Sequence, residues 1–128
     1  MKPPSLANAE LAVMELLWQE GQLTARQVRE QLYPNSTRAQ HGTVQRLLQR
    51  LEDKGCVRRD RGQAVNLFSA VLSRRAYAGQ QLEALAAKLT AGSIAPLITH
   101  LVEENKISHD EIEQIRAILD EQDEGERS

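Results

Sequence analysis

The stretch Thr43–Lys54, TVQRLLQRLEDK, constrains this 128-residue chain more than any other. Val44, Leu47, Leu48 and Leu51 recur at i, i+3, i+4 and i+7, which places them on one face of a helix. The opposite face carries Gln45, Arg46, Gln49 and Arg50, all long donors with no acidic residue among them. Glu52 and Asp53 come only in the last turn, and Lys54 followed by Gly55 supplies a stop. A leucine-anchored helix presenting Arg and Gln outward suits the major groove of DNA, where those side chains reach base edges and phosphates. Taken alone, the same pattern also describes an ordinary solvated face. The flanking sequence shifts the balance.

The net charge of −2 conceals a division. Residues 1–75 hold 12 Lys+Arg and 7 Asp+Glu, whereas residues 76–128 hold 4 and 11. A basic first part (+5) and an acidic second part (−7) suit different partners. Apolar content of 41% allows one modest core, or one small domain with a helical appendage. With aromatic residues at only 3%, packing must rest on Leu, Ile, Val and Ala. The single cysteine, Cys56, excludes an intramolecular disulfide and a Cys-based zinc site made by one chain. Beside Val57 it reads as a small buried side chain. The N-terminus has no apolar run that could serve as a signal peptide, and no later segment has the apolar length of a membrane span. The expectation is a soluble, cytoplasmic protein without membrane insertion.

Leu6 to Glu20 reads as a first helix with Leu11, Met14, Leu17 and Trp18 as its inward stripe, Asn8 as a cap and Gly21 as its end. Thr24-Ala25-Arg26-Gln27 matches a capping box, opening a helix that buries Ala25, Val28 and Leu32 and stops at Tyr33-Pro34. Arg26 and Arg29 lie on its outer side, either solvated or on phosphate. Asn35-Ser36-Thr37-Arg38 is turn-rich. Thr37-Arg38-Ala39-Gln40 is a further capping box, although Gly42 is a poor helix-interior residue and could mark a backbone that approaches a phosphate closely. Past Gly55 the runs Cys56–Asp60 and Ala64–Ser69 are strand-like, around Arg61-Gly62-Gln63 as a hairpin turn. Val57, Val65 and Leu67 can face inward, and Arg58, Arg59 and Arg61 crowd the tip. Two short helices, a basic amphipathic third and an Arg-rich hairpin, in that order, describe a winged helix-turn-helix.

From Ser73 onward the strand signals cease. Tyr77, Leu82, Leu85, Ala86 and Leu89 form a helical stripe that ends at Thr90-Ala91-Gly92. Ser93 can cap a next helix carrying Ile94, Leu97, Ile98, Leu101 and Val102, with Pro96 in its first turn. Ser108-His109-Asp110-Glu111 is a capping box for a last helix with Ile112, Ile115, Ile118 and Leu119, and the acidic tail from Asp120 is expected to fray. Three short helices cannot cover so many Leu and Ile residues by themselves. A second chain could cover them in an isologous dimer, or the helices could fold back on the first domain of the same chain. The fold class expected is mainly α with a small β-hairpin: a winged helix-turn-helix DNA-binding domain over residues 1–73, then a helical dimerisation region over 74–128.

Several of these runs resemble one family. Ala9–Trp18 (AELAVMELLW) is similar to the opening helix of the penicillinase repressor family of bacterial regulators, also called the BlaI/MecI/CopY family. So are Thr43-Val44, Arg50–Gly55 (RLEDKG), the basic hairpin and Glu113–Leu119 (EQIRAIL). The resemblance covers almost the whole chain. It implies a homodimeric winged-helix repressor whose N-terminal domains bind an operator dyad and whose C-terminal helices join the subunits. Two departures stand out. The copper-responsive branch carries a C-terminal cysteine cluster, and the sole cysteine here is Cys56. The β-lactam-responsive branch is inactivated by cleavage between Asn and Phe, and the matching positions here are His100 and Leu101. Whether a membrane-bound sensor protease relieves repression is therefore left open, as are a small ligand and the regulated genes.

No catalytic constellation is visible. His41, His100 and His109 fall in three different segments without an i, i+4 ligand pair, and Gly62 and Gly92 serve as turn and stop rather than as a phosphate loop. Neither a metal nor a cofactor is expected. The reading is a dimeric, sequence-specific repressor on a palindromic double-stranded operator, not an enzyme. Thr43, Gln45 and Arg46 would meet base edges or nearby phosphates, with Gln49 one turn on and His41 and Gly42 just before. Arg58, Arg59 and Arg61 would contact phosphate. Arg50 either joins them or pairs internally with an acidic neighbour. The alternative is a winged-helix module for protein–protein assembly, its arginines meeting an acidic partner.

Overall fold

The computed structural model describes residues 5–35, 38–62 and 64–127. Among these residues, six helices and three short strands follow in the order α1 (Asn8–Glu20), β1 (Gln22–Leu23), α2 (Ala25–Leu32), α3 (Arg38–Asp53), β2 (Val57–Asp60), β3 (Leu67–Ala70), α4 (Arg74–Leu89), α5 (Ala95–Glu103) and α6 (His109–Arg127). The chain divides into two compact units between Leu82 and Glu83, inside α4.

The first unit is a winged helix. Its core forms where α3 lays Val44, Leu47, Leu48 and Leu51, each 5% exposed or less, against Val13, Met14 and Leu17 of α1 and Val28 of α2. Cys56, Val57, Leu23 and Phe68 close the core from the strands. The α3 stripe expected from the sequence is thus the stripe that is buried. Trp18 packs on this core and donates its indole N–H to the Leu72 carbonyl at 2.9 Å. Its ring centroid lies 6.2 Å from that of Tyr77, which joins the first turn of α4 to α1.

Local chemistry explains most boundaries. Thr24 caps α2 as expected: its hydroxyl accepts from the Gln27 N–H at 3.1 Å, and the Gln27 side chain accepts from the Thr24 N–H at 2.8 Å. Ser108 and Glu111 reproduce that exchange at the start of α6. The cap of α1 differs from expectation. Asn8 is already helical, and Glu10 does the capping by accepting from the Ala7 N–H at 2.9 Å. Ser93 does not cap α5 either; the helix starts after Ile94 without a side-chain cap, and the Ser93 carbonyl accepts instead from the Thr90 hydroxyl. Ser36, Thr37 and Gln63, parts of the expected turn, capping box and hairpin tip, lie outside the described residues.

The exit from α3 fixes the wing. The Gly55 N–H reaches the Glu52 carbonyl at 3.0 Å and the Cys56 N–H reaches the Leu51 carbonyl at 2.9 Å, with Gly55 at φ +77°. This pair of bonds is a Schellman motif, and it turns the chain directly from α3 into β2. Asn105 at φ +56° closes α5 in the same way, through the Lys106 N–H to the Leu101 carbonyl at 2.8 Å.

The expected hairpin is in fact part of a three-stranded antiparallel sheet in the order β1-β3-β2. Gln22 and Leu23 pair with Ser69 and Phe68, while Val57 to Asp60 pair with Ala70 back to Leu67. The strands are shorter than the sequence suggested. Val65, expected to face inward, lies before β3 and is 59% exposed, because β3 begins only at Leu67 and turns Phe68 into the core.

Among the described residues of this unit, one charge is buried. Glu10 is only 3% exposed, and its Oε1 accepts from Lys54 Nζ at 2.8 Å as well as from the Ala7 N–H. Lys54 also donates to the Ser5 carbonyl at 2.9 Å. Burial by itself would raise the Glu10 carboxyl. The Lys54 hydrogen bond, the Ala7 N–H and the charges of Lys54 and Arg50 outweigh it and hold the group below its ordinary range.

In the second unit, the end of α4 with α5 and α6, Ala86 alone is buried among the described residues. Ile94, Leu97, Ile98 and Ile112 are half-buried, whereas Leu85, Leu89, Leu101, Val102, Ile115, Ile118 and Leu119 are 38–63% exposed. Helix α6 continues through the acidic run that the sequence suggested would fray, since no proline or glycine interrupts it before Gly125.

Two stability predictions follow from these contacts. Gly55→Ala should destabilise the fold by about 1–2 kcal/mol in chemical denaturation, since nothing lies within 4 Å of an added Cβ and only the left-handed backbone resists it. Glu10→Gln should lower stability at neutral pH by roughly 1–2 kcal/mol. A carboxyl depressed by folding contributes above its unfolded value, about 4.3, and loses that contribution as pH falls through the folded one. The gap between native and variant unfolding midpoints should therefore close on acidification through that range.

Candidate nucleic-acid interface

Because the Val44–Leu51 stripe is buried, α3 must turn Gln45, Arg46, Gln49 and Arg50 to solvent, and all four are exposed. His41, Gly42 and Thr43 sit half-buried one turn earlier. Side chains on this face hold one another. Gln45 Nε2 lies 3.1 Å from His41 Nε2, and Arg46 donates to the Thr43 hydroxyl at 3.3 Å. That hydroxyl in turn donates to the Ala39 carbonyl at 3.2 Å. Gly42 is helical, and a Cβ there would make only ordinary contact with Arg46 at 3.6 Å, so the helix itself does not demand glycine.

The wing stands beside this face. Arg58 on β2 and Arg61 in the following loop are exposed, and the Gly62 N–H donates to Asp60 Oδ1 at 2.9 Å to shape the turn. Arg59 lies differently, with its side chain only 19% exposed. Its guanidinium sits 4.9 Å from the centre of the Phe68 ring, 3.4 Å from Glu52 Oε1, and donates to Gln49 Oε1 at 3.3 Å. Gln49 completes that cluster by donating from Nε2 to Asp53 at 2.9 Å and to Glu52 at 3.3 Å.

Between the first turn of α2, the outer face of α3 and the loop before β3 lies an open cleft of about 870 Å³. His41, Gln45, Gln49 and Arg59 line it. Thr24, Gln27, Val65 and Asn66 line it too, and sequence reasoning did not assign them to the site. Thr24 and Gln27 were legible as a cap, and only the fold brings that cap alongside α3. Arg26, at the same rim, is tied to Glu30 at 3.0 Å.

The electrostatic outcome is a face with unspent positive charge. Glu30, Glu52 and Asp53 are engaged with Arg26, Arg59 and Gln49. Arg46, Arg50, Arg58 and Arg61 make no ion pair among the described residues. Arg50 acts on Glu10 only through space. Cys56 is free and buried, and burial pushes its thiol up, away from the reactive thiolate form.

The three histidines fall in α3, α5 and α6. No group of three or more His, Cys, Asp or Glu gathers as a metal site among the described residues. No helix among them is long and apolar enough to cross a membrane. His100 and Leu101 lie inside α5, so cutting the bond between them requires that helix to open.

Residues 6–121 match the penicillinase repressor family. The chain is also 24% identical over 120 residues to the penicillinase repressor of Bacillus licheniformis, across 94% of this chain and 93% of that protein. The match spans both the winged helix and the helices that follow it, and the chain belongs to the penicillinase repressor family of DNA-binding transcriptional repressors.

Proposed function

We propose that the protein acts as a homodimer on a palindromic operator, with α3 in the major groove and the wing on the flanking backbone. The observation that carries this reading is the set of four arginines, 46, 50, 58 and 61, left without acidic partners among the described residues around the glutamine face of α3. Thr43, Gln45 and Arg46 read base edges from the first half of the helix, with His41 beside them and Gly42 letting the backbone come close. Arg58 and Arg61 bind phosphate and fix register without reading sequence. Residues 1–73 make up the DNA-binding domain and 74–128 the dimerisation region of a cytoplasmic protein.

Dimerisation is supported by the second unit. Its Leu, Ile and Val side chains stay exposed in one chain, and a two-fold partner offers the same apolar set in return. Two copies of α3 then stand about one DNA turn apart, roughly 34–36 Å.

Binding to a duplex selected by the native protein should weaken steeply with salt, and Arg61→Ala should reduce the log–log slope by about 1 while sequence preference is kept. Arg46→Ala should cost roughly 1–3 kcal/mol and relax preference at one base position. A native protein whose binding ignores both salt and sequence would end this reading. Separately, sedimentation should give twice 14.4 kDa for the native chain and 14.4 kDa for Leu119→Asp, with the circular dichroism of the winged helix retained.

A further inference from the structure

We propose that Arg59 is a positioning residue that sets the wing against α3, and that it withdraws Gln49 from the base-reading face. The inference rests on the operator-binding reading above and refines which of its residues touch DNA. Of the three wing arginines, Arg58 and Arg61 are exposed, whereas the Arg59 side chain is only 19% exposed, on the wall of the cleft. Antiparallel register places Arg59 directly across from Phe68, and the guanidinium covers that ring at 4.9 Å. Its Nη2 faces α3, 3.4 Å from Glu52 and 3.3 Å from the Gln49 carbonyl oxygen. One face of the guanidinium is thus taken by an aromatic ring and one edge by α3.

Gln49 is bound at both ends of its amide. The oxygen accepts from Arg59, and the nitrogen donates to Asp53 and Glu52. A flipped amide would set its NH₂ against a guanidinium and its oxygen against two carboxylates, so the electrostatics permit one orientation. Reading adenine requires the same oxygen and nitrogen together. Gln49 therefore serves the strut, and base reading falls to Thr43, Gln45 and Arg46. The strut spans α3 and β2, and it governs whether Arg58 and Arg61 meet the backbone while Arg46 meets a base.

The test uses the full-length protein, the tightest duplex that it recovers from a random-sequence pool, and sheared genomic DNA as the non-specific reference. Glu52→Gln is decisive, because the two roles of Arg59 give opposite signs. If Arg59 were a phosphate contact, removing a neighbouring negative charge would leave binding equal or tighter. As a strut, Arg59 loses its anchor, and specific binding should weaken about tenfold or more while binding to genomic DNA is retained. Arg59→Gln should weaken specific binding similarly without lowering the salt slope, in contrast to the drop of about 1 for Arg61→Gln. A pool selected with Gln49→Met should yield the native preferred sequence. If Arg59→Gln does not fold, Glu52→Gln carries the test, its midpoint of unfolding confirming a folded variant at the assay temperature. Tighter or unchanged specific binding by Glu52→Gln, or a slope drop of about 1 for Arg59→Gln, overturns the proposal. A native protein that enriches no duplex from the pool overturns the operator reading itself, a distinct result.

Discussion

The buried stripe of α3 is the constraint on which the winged-helix unit depends. Val44, Leu47, Leu48 and Leu51 meet α1, α2 and the sheet at once, each at 5% exposure or less. Full burial of such a side chain stabilises by about 1.5–3 kcal/mol, so four of them approach the whole stability of a small domain even before the compactness of the unfolded chain is discounted. The rotation of α3 about its axis is consequently not adjustable. One residue of rotation, about 100°, would drive Gln45 toward the core and a leucine into water. The outward display of Gln45 and Arg46 is a consequence of how the core is filled.

The two ends of the unit are tied to that helix by different physics. At its C-terminus, backbone hydrogen bonds around Gly55 hand the chain to β2 in one fixed direction, so the wing begins from a defined point. At its flank, Lys54 reaches across to Glu10, linking the end of α3 to the start of α1 over 44 residues of sequence. A buried carboxylate without partners would be costly. Glu10 caps the first turn of α1, sits at the positive end of that helix dipole and pairs with Lys54, and these three interactions make its burial tolerable.

What the sequence disclosed and what it hid divide along the range of the interactions. The α3 face and the Thr24 and Ser108 capping boxes were legible because a helix repeats every three to four residues and a box spans only four. Strand β1 was not, since Gln22 and Leu23 are too few to show alternation and are strands only because β3 offers them partners. Asn8 looked like the cap by residue type, yet Glu10 took the backbone N–H. Val65 alternated correctly along the chain but lies before the point at which pairing starts. Within the candidate site, the three wing arginines were alike by residue type, although alternation from the inward Val57 already sets Arg59 on the same face of β2 and Arg58 on the other. Cross-strand register supplies what alternation cannot, that the partner of Arg59 is Phe68.

The segregation of charge gives the two units opposite relations to DNA and to each other's copies. Residues 83–128 carry 4 basic and 11 acidic side chains, so this unit is repelled by the phosphates that attract the arginines of the winged helix. Its exposed Leu, Ile and Val side chains call for a cover that is neither water nor nucleic acid, which the proposed dimer would supply. A second copy satisfies the apolar requirement but brings another set of acidic groups with it. That repulsion extends only about 8 Å at physiological ionic strength, whereas burial of Leu and Ile is not weakened by salt. Salt thus acts on the two proposed interfaces in opposite directions, easing the approach of the helical units while loosening the arginines from the duplex. In the proposed dimer, the subunits would stay paired as their hold on DNA relaxes, ready to return to a two-fold site.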